Sequence, residues 1–385
     1  MLKNLKKNKT LYLLLLCLCI LLPRTLFAQE KKPKVALVLS GGGAKGIAHI
    51  RTLQVLDSLH IVPDLIVGTS MGSIVGGLYA MGYSGDSIAS LTKNVKWEKL
   101  LGGGVSLKSV GAEEKSEYNK YLIELELKKG KITTGAYLIN DQNLREFIAF
   151  ISIPSYEIEL FDNLPIPFRA VTTDIINGKE VVLDRGSLAF AMRASMSIPG
   201  VFSPIRYKNT LLVDGGLLNN FPADVAKNLG ADIIIGSDVG DNPKTIESLN
   251  NISSLLFQGN MINSNIKRPK NRQICDILID HAPYLTYSTA DFFNVNEIYE
   301  EGKAATNQNI DALVALSIKL KKFEQKRHHL PITKNEFIFD TIVYHNISKS
   351  NLALVKARTD LQPNKKYSIQ EIEDGLGRAM GYNNI

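Results

Sequence analysis

The chain has 385 residues, 45% hydrophobic and 22% charged, ordinary values for a folded protein that exclude a disordered or collagen-like whole. Its formal charge of +7 arises from 45 basic and 38 acidic residues. Five of the basic residues (Lys3, Lys6, Lys7, Lys9 and Arg24) fall in the first 28, which hold no acid, so the remainder carries only +2 and offers no concentrated basic face for nucleic acid.

Behind that basic start, Leu11–Leu22 is an uninterrupted apolar run of twelve residues, short of the roughly 20 that span a bilayer. With Ala28 as the small residue after Leu26-Phe27, the pattern predicts a secretory signal peptide over 1–28. An uncleaved N-terminal anchor is the alternative, and either places the protein outside the cytoplasm. Cys17 and Cys19 lie within the run, and neither precedes the small residue of a lipoprotein cleavage site. Cys275 is then a lone thiol with no disulfide partner.

Lys34–Leu39 reads as a strand buried on both faces, broken by Ser40-Gly-Gly-Gly-Ala-Lys-Gly46. Ile47–Leu59 has helical spacing. A second strand, Leu65–Val67, runs into Gly68-Thr-Ser-Met-Gly72, and Ser73–Met81 reads as a helix rich in small residues. Repeated strand, glycine turn and helix implies α/β organisation with a mostly parallel sheet. Residues 98–165 are less patterned: Leu101–Gly104 and Lys128–Lys131 read as loops and Asp141–Ile151 as a helix. Further strands are expected at Phe168–Thr173, Glu180–Leu183, Leu211–Val213 and Asp232–Gly236. A long helical stretch over 295–329 ends in a charged, solvated run. After Pro331, Phe337–Tyr344 alternates like a strand, and Leu352–Thr359 and Ile369–Met380 read as short helices.

The chemistry concentrates at three places. Gly68-Thr-Ser70-Met-Gly72 is a G-x-S-x-G pattern between a strand and a helix, where glycines permit the sharp turn that presents a serine hydroxyl above a helix N-terminus. Such a nucleophile needs an oxyanion hole and a base. The unshielded amides of Gly41-Gly-Gly43 are candidates for the first. Gly41, Gly43 and Gly46 also fit G-x-G-x-x-G, but the following strand ends in the serine turn instead of an acidic residue for a ribose, with Asp64 coming before it. Lys45 precedes the last glycine, so a nucleotide P-loop fails too. For the base, none of the six histidines carries a motif, and only His281 is a loose candidate. Leu211-Leu-Val-Asp214-Gly-Gly216 places a carboxylate at a strand end on a glycine turn. That carboxylate can accept the serine proton if burial and a lack of cationic neighbours raise its basicity, and it is equally compatible with an ordinary turn aspartate.

Gly41-Gly-Gly-Ala-Lys-Gly46, Gly68–Gly72, Ala194-Ser-Met-Ser-Ile-Pro-Gly-Val-Phe-Ser-Pro204 and Asp214-Gly-Gly216 occur in the order seen in patatin-like phospholipases, which residues 34–240 resemble. The resemblance implies a three-layer α/β/α hydrolase with a mostly parallel central sheet and a Ser70–Asp214 dyad without histidine. It also implies an oxyanion hole drawn from Gly41, Gly42, Gly43 and Ala44, and Gly68 and Gly72 as the elbow glycines. No metal or cofactor is required. Ser40 stands where many plant members have aspartate, a departure that precedes the glycines. Residues 241–330 read as the helical C-terminal part of the catalytic domain. Residues 335–385 resemble the first part of a POTRA domain, so a partial α+β segment is expected there. An exported patatin followed by POTRA is similar to patatin-type two-domain secretion proteins, which continue into an outer-membrane barrel absent from this chain. The expected activity is phospholipase A-type hydrolysis of a phospholipid or other lipid ester at a membrane surface, in the periplasm, outer membrane or cell surface. A non-catalytic lipid-binding or secretion passenger module is the alternative, and a hydrolase of soluble or protein esters a third. Self-association into a homo-oligomer is left open.

Overall fold

Val35–Leu39 forms strand β1, buried on both faces because it lies inside an eight-stranded sheet between two parallel neighbours. The computed structural model describes residues 31–101, 126–128, 131–133, 141–241, 245–249, 252–324, 329–331, 336–344 and 347–380. The expected signal peptide (1–28), most of the expected loop at 101–104 and residues 129–130 of the loop expected at 128–131 lie outside them. Lys34–Ile385 is the compact unit described here.

A 3-10 turn at Gly43–Ala48 leads into α1 (His49–Ser58), so the first helix begins with a tighter turn than its spacing predicts. Strand β2 (Leu65–Thr69) is followed by α2 (Met71–Met81), α3 (Gly85–Asn94) and α4 (Trp97–Leu101). A small antiparallel hairpin, β3 (Glu126–Lys128) and β4 (Lys131–Thr133), precedes α5 (Gln142–Ile151). Next come β5 (Phe168–Asp174), β6 (Lys179–Leu183), α6 (Leu188–Ser195), β7 (Ile205–Tyr207) and β8 (Thr210–Asp214). Helices α7 (Gly216–Asn219) and α8 (Ala223–Asn228) lead to β9 (Ile233–Asp238). The helix pair α9 (Ile252–Asn260) and α10 (Ile262–Gln273) then precedes β10 (Ile277–Asp280).

The sheet order is β10-β9-β1-β2-β5-β8-β7, with β6 paired to β5. The first five of these run parallel, β6 and β8 run antiparallel to β5, and β7 pairs antiparallel with β8. Alternate residues of β1 feed two separate cores. Val35, Leu37 and Leu39 pack with α1, α2, α5, α6 and later helices, whereas Ala36 and Val38 pack with Phe221 and the α8 residues Ala223, Val225 and Ala226. The result is the three-layer α/β/α architecture expected from the sequence, with a mostly parallel central sheet. Glycines in α2 bring that helix against the strands: a Cβ at Gly72 would lie 2.5 Å from the Ser40 carbonyl oxygen.

Three expectations are corrected. The helical stretch over 295–329 is two helices, α11 (Val295–Gln308) and α12 (Ile310–Leu320). They break at Asn309, a poor helix former whose side-chain amide turns back to the Ala305 carbonyl at 3.1 Å. The strand expected over 337–344 is only β11 (Glu336–Ile338), because at Phe339 the chain leaves the ladder and its carbonyl accepts Asn364 N–H at 2.8 Å. Beyond α13 (Lys349–Thr359), a further strand, β12 (Lys366–Ser368), pairs antiparallel with β11 ahead of α14 (Ile369–Met380). The terminal segment therefore has two strands where the sequence predicted one. It packs on the main body through Phe337, whose ring meets Tyr156 edge-on at 5.5 Å.

Candidate active site

Strand β5 aligns the elements that meet here. Its edge opposite β6 is occupied by β2 up to the pair Thr69–Val171, and from Thr172 onward by the antiparallel β8, which ends at the pair Asp214–Thr172. Two strands thus run toward each other along one edge and stop at successive positions. The residue after β2, Ser70, is brought against the last residue of β8, Asp214. The Ser70 hydroxyl donates to Asp214 Oδ2 at 2.7 Å.

Ser70 has φ 54° and ψ −126°, a left-handed conformation rare for a side-chain-bearing residue and costing on the order of 1–3 kcal/mol. The surroundings hold it there. Its N–H donates to Ser195 Oγ at 2.9 Å, and Ser195 Oγ in turn donates to the Val171 carbonyl at 2.6 Å. The Ser70 carbonyl accepts the first amides of α2, from Ser73 and Ile74. The flanking glycines are demanded by space: a Cβ at Gly68 would sit 2.7 Å from the carbonyl carbon of Gly72.

Asp214 is held as firmly. Its N–H donates to the Ser197 carbonyl at 2.9 Å and that of Gly215 to the Ser195 carbonyl at 3.2 Å, so the Ala194–Ser197 segment braces both the serine and the aspartate. Gly216 N–H donates to Asp214 Oδ1 at 2.6 Å, leaving Oδ2 to the hydroxyl. Burial pushes the Asp214 carboxyl up to about 6, outweighing the Ser70 and Gly216 hydrogen bonds and the positive charge of Arg193. The condition that no cation lie nearby is therefore not met, yet desolvation prevails. Arg193 is itself buried, which lowers it to about 10. Its guanidinium pairs with the buried Asp141 carboxylate and donates to Ser197 Oγ at 2.6 Å, so most of its charge is answered away from Asp214.

The glycine loop follows β1 and faces the same cleft. Gly41 is clamped by Asn220: Gly41 N–H donates to the Asn220 carbonyl at 2.9 Å, and Asn220 Nδ2 donates to the Gly41 carbonyl at 3.0 Å. A Cβ at Gly41 would collide with this amide and lie 2.9 Å from Ser70 Cβ. Gly43, at φ 53°, adopts the left-handed backbone that favours glycine, and Ala44 N–H donates to the Thr289 carbonyl at 2.9 Å. Of the four candidate donors, Gly41 and Ala44 thus give their amides to carbonyls and act as hinges of the loop, a correction to the fourfold assignment. Gly42 and Gly43 are half-exposed at the cleft wall between them.

That cleft, about 830 Å³, reaches from Ser70, Asp214 and the glycines to Phe257 and Met261 of the α9–α10 pair. Lys45, buried beside it, pairs with Asp241. His281 is not in position to serve Ser70. Its ring is fully buried, with Nε2 3.0 Å from Ser237 Oγ, and Ser237 also meets His49 Nδ1 at 2.7 Å. Burial lowers both histidines, His49 to about 4 and His281 to about 3, so they are neutral struts that tie α1 and the end of β10 to Ser237 of β9. His49 Nε2 lies 2.9 Å from the Ser40 carbonyl and so supports the root of the glycine loop. The sequence assigned no site role to Arg193, Asp141, Ser195 or Asn220, although Ser195 lies in the Ala194–Pro204 motif. The one local signal was the spacing of Arg193 and Ser197, one helical turn apart. Among the described residues no group of three or more His, Cys, Asp or Glu is placed to hold a metal ion.

A serine on a strained strand-to-helix turn, faced by a buried carboxylate at the carboxyl edge of an α/β/α sheet, defines the class of protein. The patatin-like phospholipase family model matches residues 37–227, and the chain belongs to that family. It is 30% identical over 292 residues to lysophospholipase NTE1 of Meyerozyma guilliermondii, covering 70% of this chain and 18% of that protein. It is 34% identical over 213 residues to the patatin-like phospholipase domain-containing protein ZK370.4 of Caenorhabditis elegans, covering 55% and 14% respectively. The chain thus spans less than a fifth of the length of these two relatives. Among solved structures, VipD from Legionella pneumophila superposes with a TM-score of 0.41 at 17% identity, over 73% of this chain and 67% of that one.

Proposed function

We propose that the chain is a lipid acyl hydrolase of phospholipase A type in which Ser70 is the nucleophile and Asp214 the base. The observation that carries this reading is the 2.7 Å hydrogen bond from the strained Ser70 hydroxyl to a buried, basic carboxylate at the head of an open cleft. Family membership and the lysophospholipase relative favour a lipid ester as substrate.

Asp214 takes the hydroxyl proton as Ser70 Oγ bonds to the ester carbonyl carbon, and the carbonyl electron pair moves onto oxygen. The amides of Gly42 and Gly43 receive that oxyanion, with donors of this kind contributing about 10²–10³ in rate each. Collapse expels the alcohol, which leaves with the proton from Asp214, and Ser70 is acylated. Water then gives a proton to Asp214 as it attacks the acyl-enzyme. The fatty acid departs and Ser70 recovers its proton.

Export belongs to the same proposal, through the signal peptide at 1–28, to the periplasm, outer membrane or cell surface. So do a catalytic core over 34–240 completed by 241–330, and a POTRA-like segment over 335–385. Hydrolysis of phospholipid and p-nitrophenyl esters by residues 29–385 tests the chemistry. Wild type is expected to release fatty acid, and Ser70→Ala and Asp214→Asn to fall by about 10³-fold or more, as when other nucleophile and base residues are removed. Near-normal Asp214→Asn would move the base elsewhere, and a folded but inert wild type would favour the lipid-binding module.

A further inference from the structure

Helix α10 is built inside out. Its core-facing residues are polar. Ser264 Oγ accepts Asn220 N–H at 2.6 Å, Arg268 Nε reaches Asp238 Oδ2 at 2.7 Å, and Asn271 Nδ2 donates to the Phe221 carbonyl at 2.7 Å. Lys267 pairs sideways with Glu180 and Asp224. These contacts anchor the helix, and its apolar residues point the other way. Ile262 and Ile266, one turn apart on the opposite face, are 52% and 70% exposed, and exposed Lys270 continues that face one turn on. The adjoining α9 exposes Leu255 at 53% and Leu256 at 66%. Scattered surface leucines need no explanation, but four large aliphatic side chains on one helix pair leave an apolar surface that folding does not use.

Two further observations select the partner. Residues 252–273 hold no acidic side chain, and of their four basic ones Lys267, Arg268 and Arg272 pair with carboxylates, so the charge that the outward face itself carries is that of exposed Lys270. Phe257 of α9 and Met261 at the junction of the two helices line the cleft that holds Ser70, so the helix pair that exposes these aliphatic side chains also supplies part of the cleft's wall. We infer that the outward faces of α9 and α10 dock on an anionic phospholipid bilayer, with Leu255, Leu256, Ile262 and Ile266 entering the headgroup–acyl boundary and Lys270 reaching the phosphates. An apolar helix face flanked by lysine is the combination that lies in a membrane interface. The inference rests on the lipid-hydrolase reading and adds how the cleft is delivered to its substrate.

Cosedimentation with vesicles of equal parts ether-linked phosphatidylcholine and phosphatidylglycerol tests it, using residues 29–385, which contain the whole compact unit without the apolar run of 11–22. Ether lipids cannot be cleaved at an ester, so binding is read whether or not Ser70 is the nucleophile, and a soluble ester reports that reading separately. Wild type is expected to sediment with the vesicles. Ile262→Ser/Ile266→Ser, and independently Leu255→Ser/Leu256→Ser, should each weaken partitioning about tenfold or more, with unchanged melting temperature and unchanged turnover of the soluble ester. Lys270→Glu should weaken binding most at low salt. Equal vesicle binding by wild type and both double variants would overturn the inference, as would a wild type that stays in the supernatant. So would a wild-type dimer that the isoleucine variant converts to monomer, since a second copy would then cover the face.

Discussion

In the proposed mechanism Asp214 serves as base because burial removes water from an ordinary carboxylate. A carboxyl held near 6 remains ionised at neutral pH yet is about a hundredfold more basic than an exposed one at 3.8. The rate at limiting substrate should therefore rise with pH through an apparent midpoint near 6 and level off above 7. His281→Asn should leave that midpoint in place, because the ring faces Ser237 instead of Ser70. A midpoint near 4 in the wild type, or one that moves with the His281 substitution, would remove Asp214 from the role. The proposed base was a candidate in the sequence, as Asp-Gly-Gly at a strand end, where an ordinary turn aspartate fitted equally well. The burial that makes it basic was not legible, because it comes from segments distant along the chain.

Helix α6 shows how an element far from the nucleophile in sequence determines its setting. It carries Arg193 at its buried end, paired with Asp141 at the start of α5, 52 residues earlier. Replacing Asp141 with Ala would leave a buried guanidinium without its carboxylate and should cost about 3–5 kcal/mol, read as a lower urea midpoint at unchanged slope. Asp141→Leu with Arg193→Met should recover most of it. No local pattern announced this pair, since Asp141 was legible only as the start of a helix and its partner lies far along the chain. Strands β1, β2, β5, β8 and β9 were legible because strands inside a sheet are apolar runs bounded by glycine or charge. Helices α3 and α6 were missed although Ser84 and Ser187 cap them in the usual way, accepting the amides of Ser87 and Phe190. Helix α10 could not be found by hydrophobic periodicity, which assumes that the apolar side faces the core. The break at Asn309 follows a single local hydrogen bond and the early end of β11 a single one to distant Asn364, neither visible in a hydrophobic pattern.

For the molecule as a whole, the neutral His49–Ser237–His281 cluster sets a limit on the acid side. Both rings are lowered from 6.5, to about 4 and about 3. Below 6.5 the unfolded chain takes up protons that the folded rings refuse, so stability is lost as pH falls from 6.5 toward 4, at about 1.4 kcal/mol per pH unit for each histidine. Asp214 acts in the opposite sense. Its folded value is raised from 3.8 to about 6, so it gains a proton in the folded state first and returns stability over roughly the same range. Two histidines outweigh one aspartate, and the urea midpoint should fall between pH 6.5 and 4.5. A flat midpoint there would mean the rings accept protons in the folded state. The meeting of β2 and β8 on one edge of β5 has a kinetic meaning as well. Ser70 and Asp214 are 144 residues apart in the chain, and no local segment contains both. The pair comes into being only when two independent strands have docked, in register, on a third. Loop closure of that length is slow relative to helix formation, so during refolding the Ser70–Asp214 contact is expected late, and its presence reports that the sheet has already closed around β5.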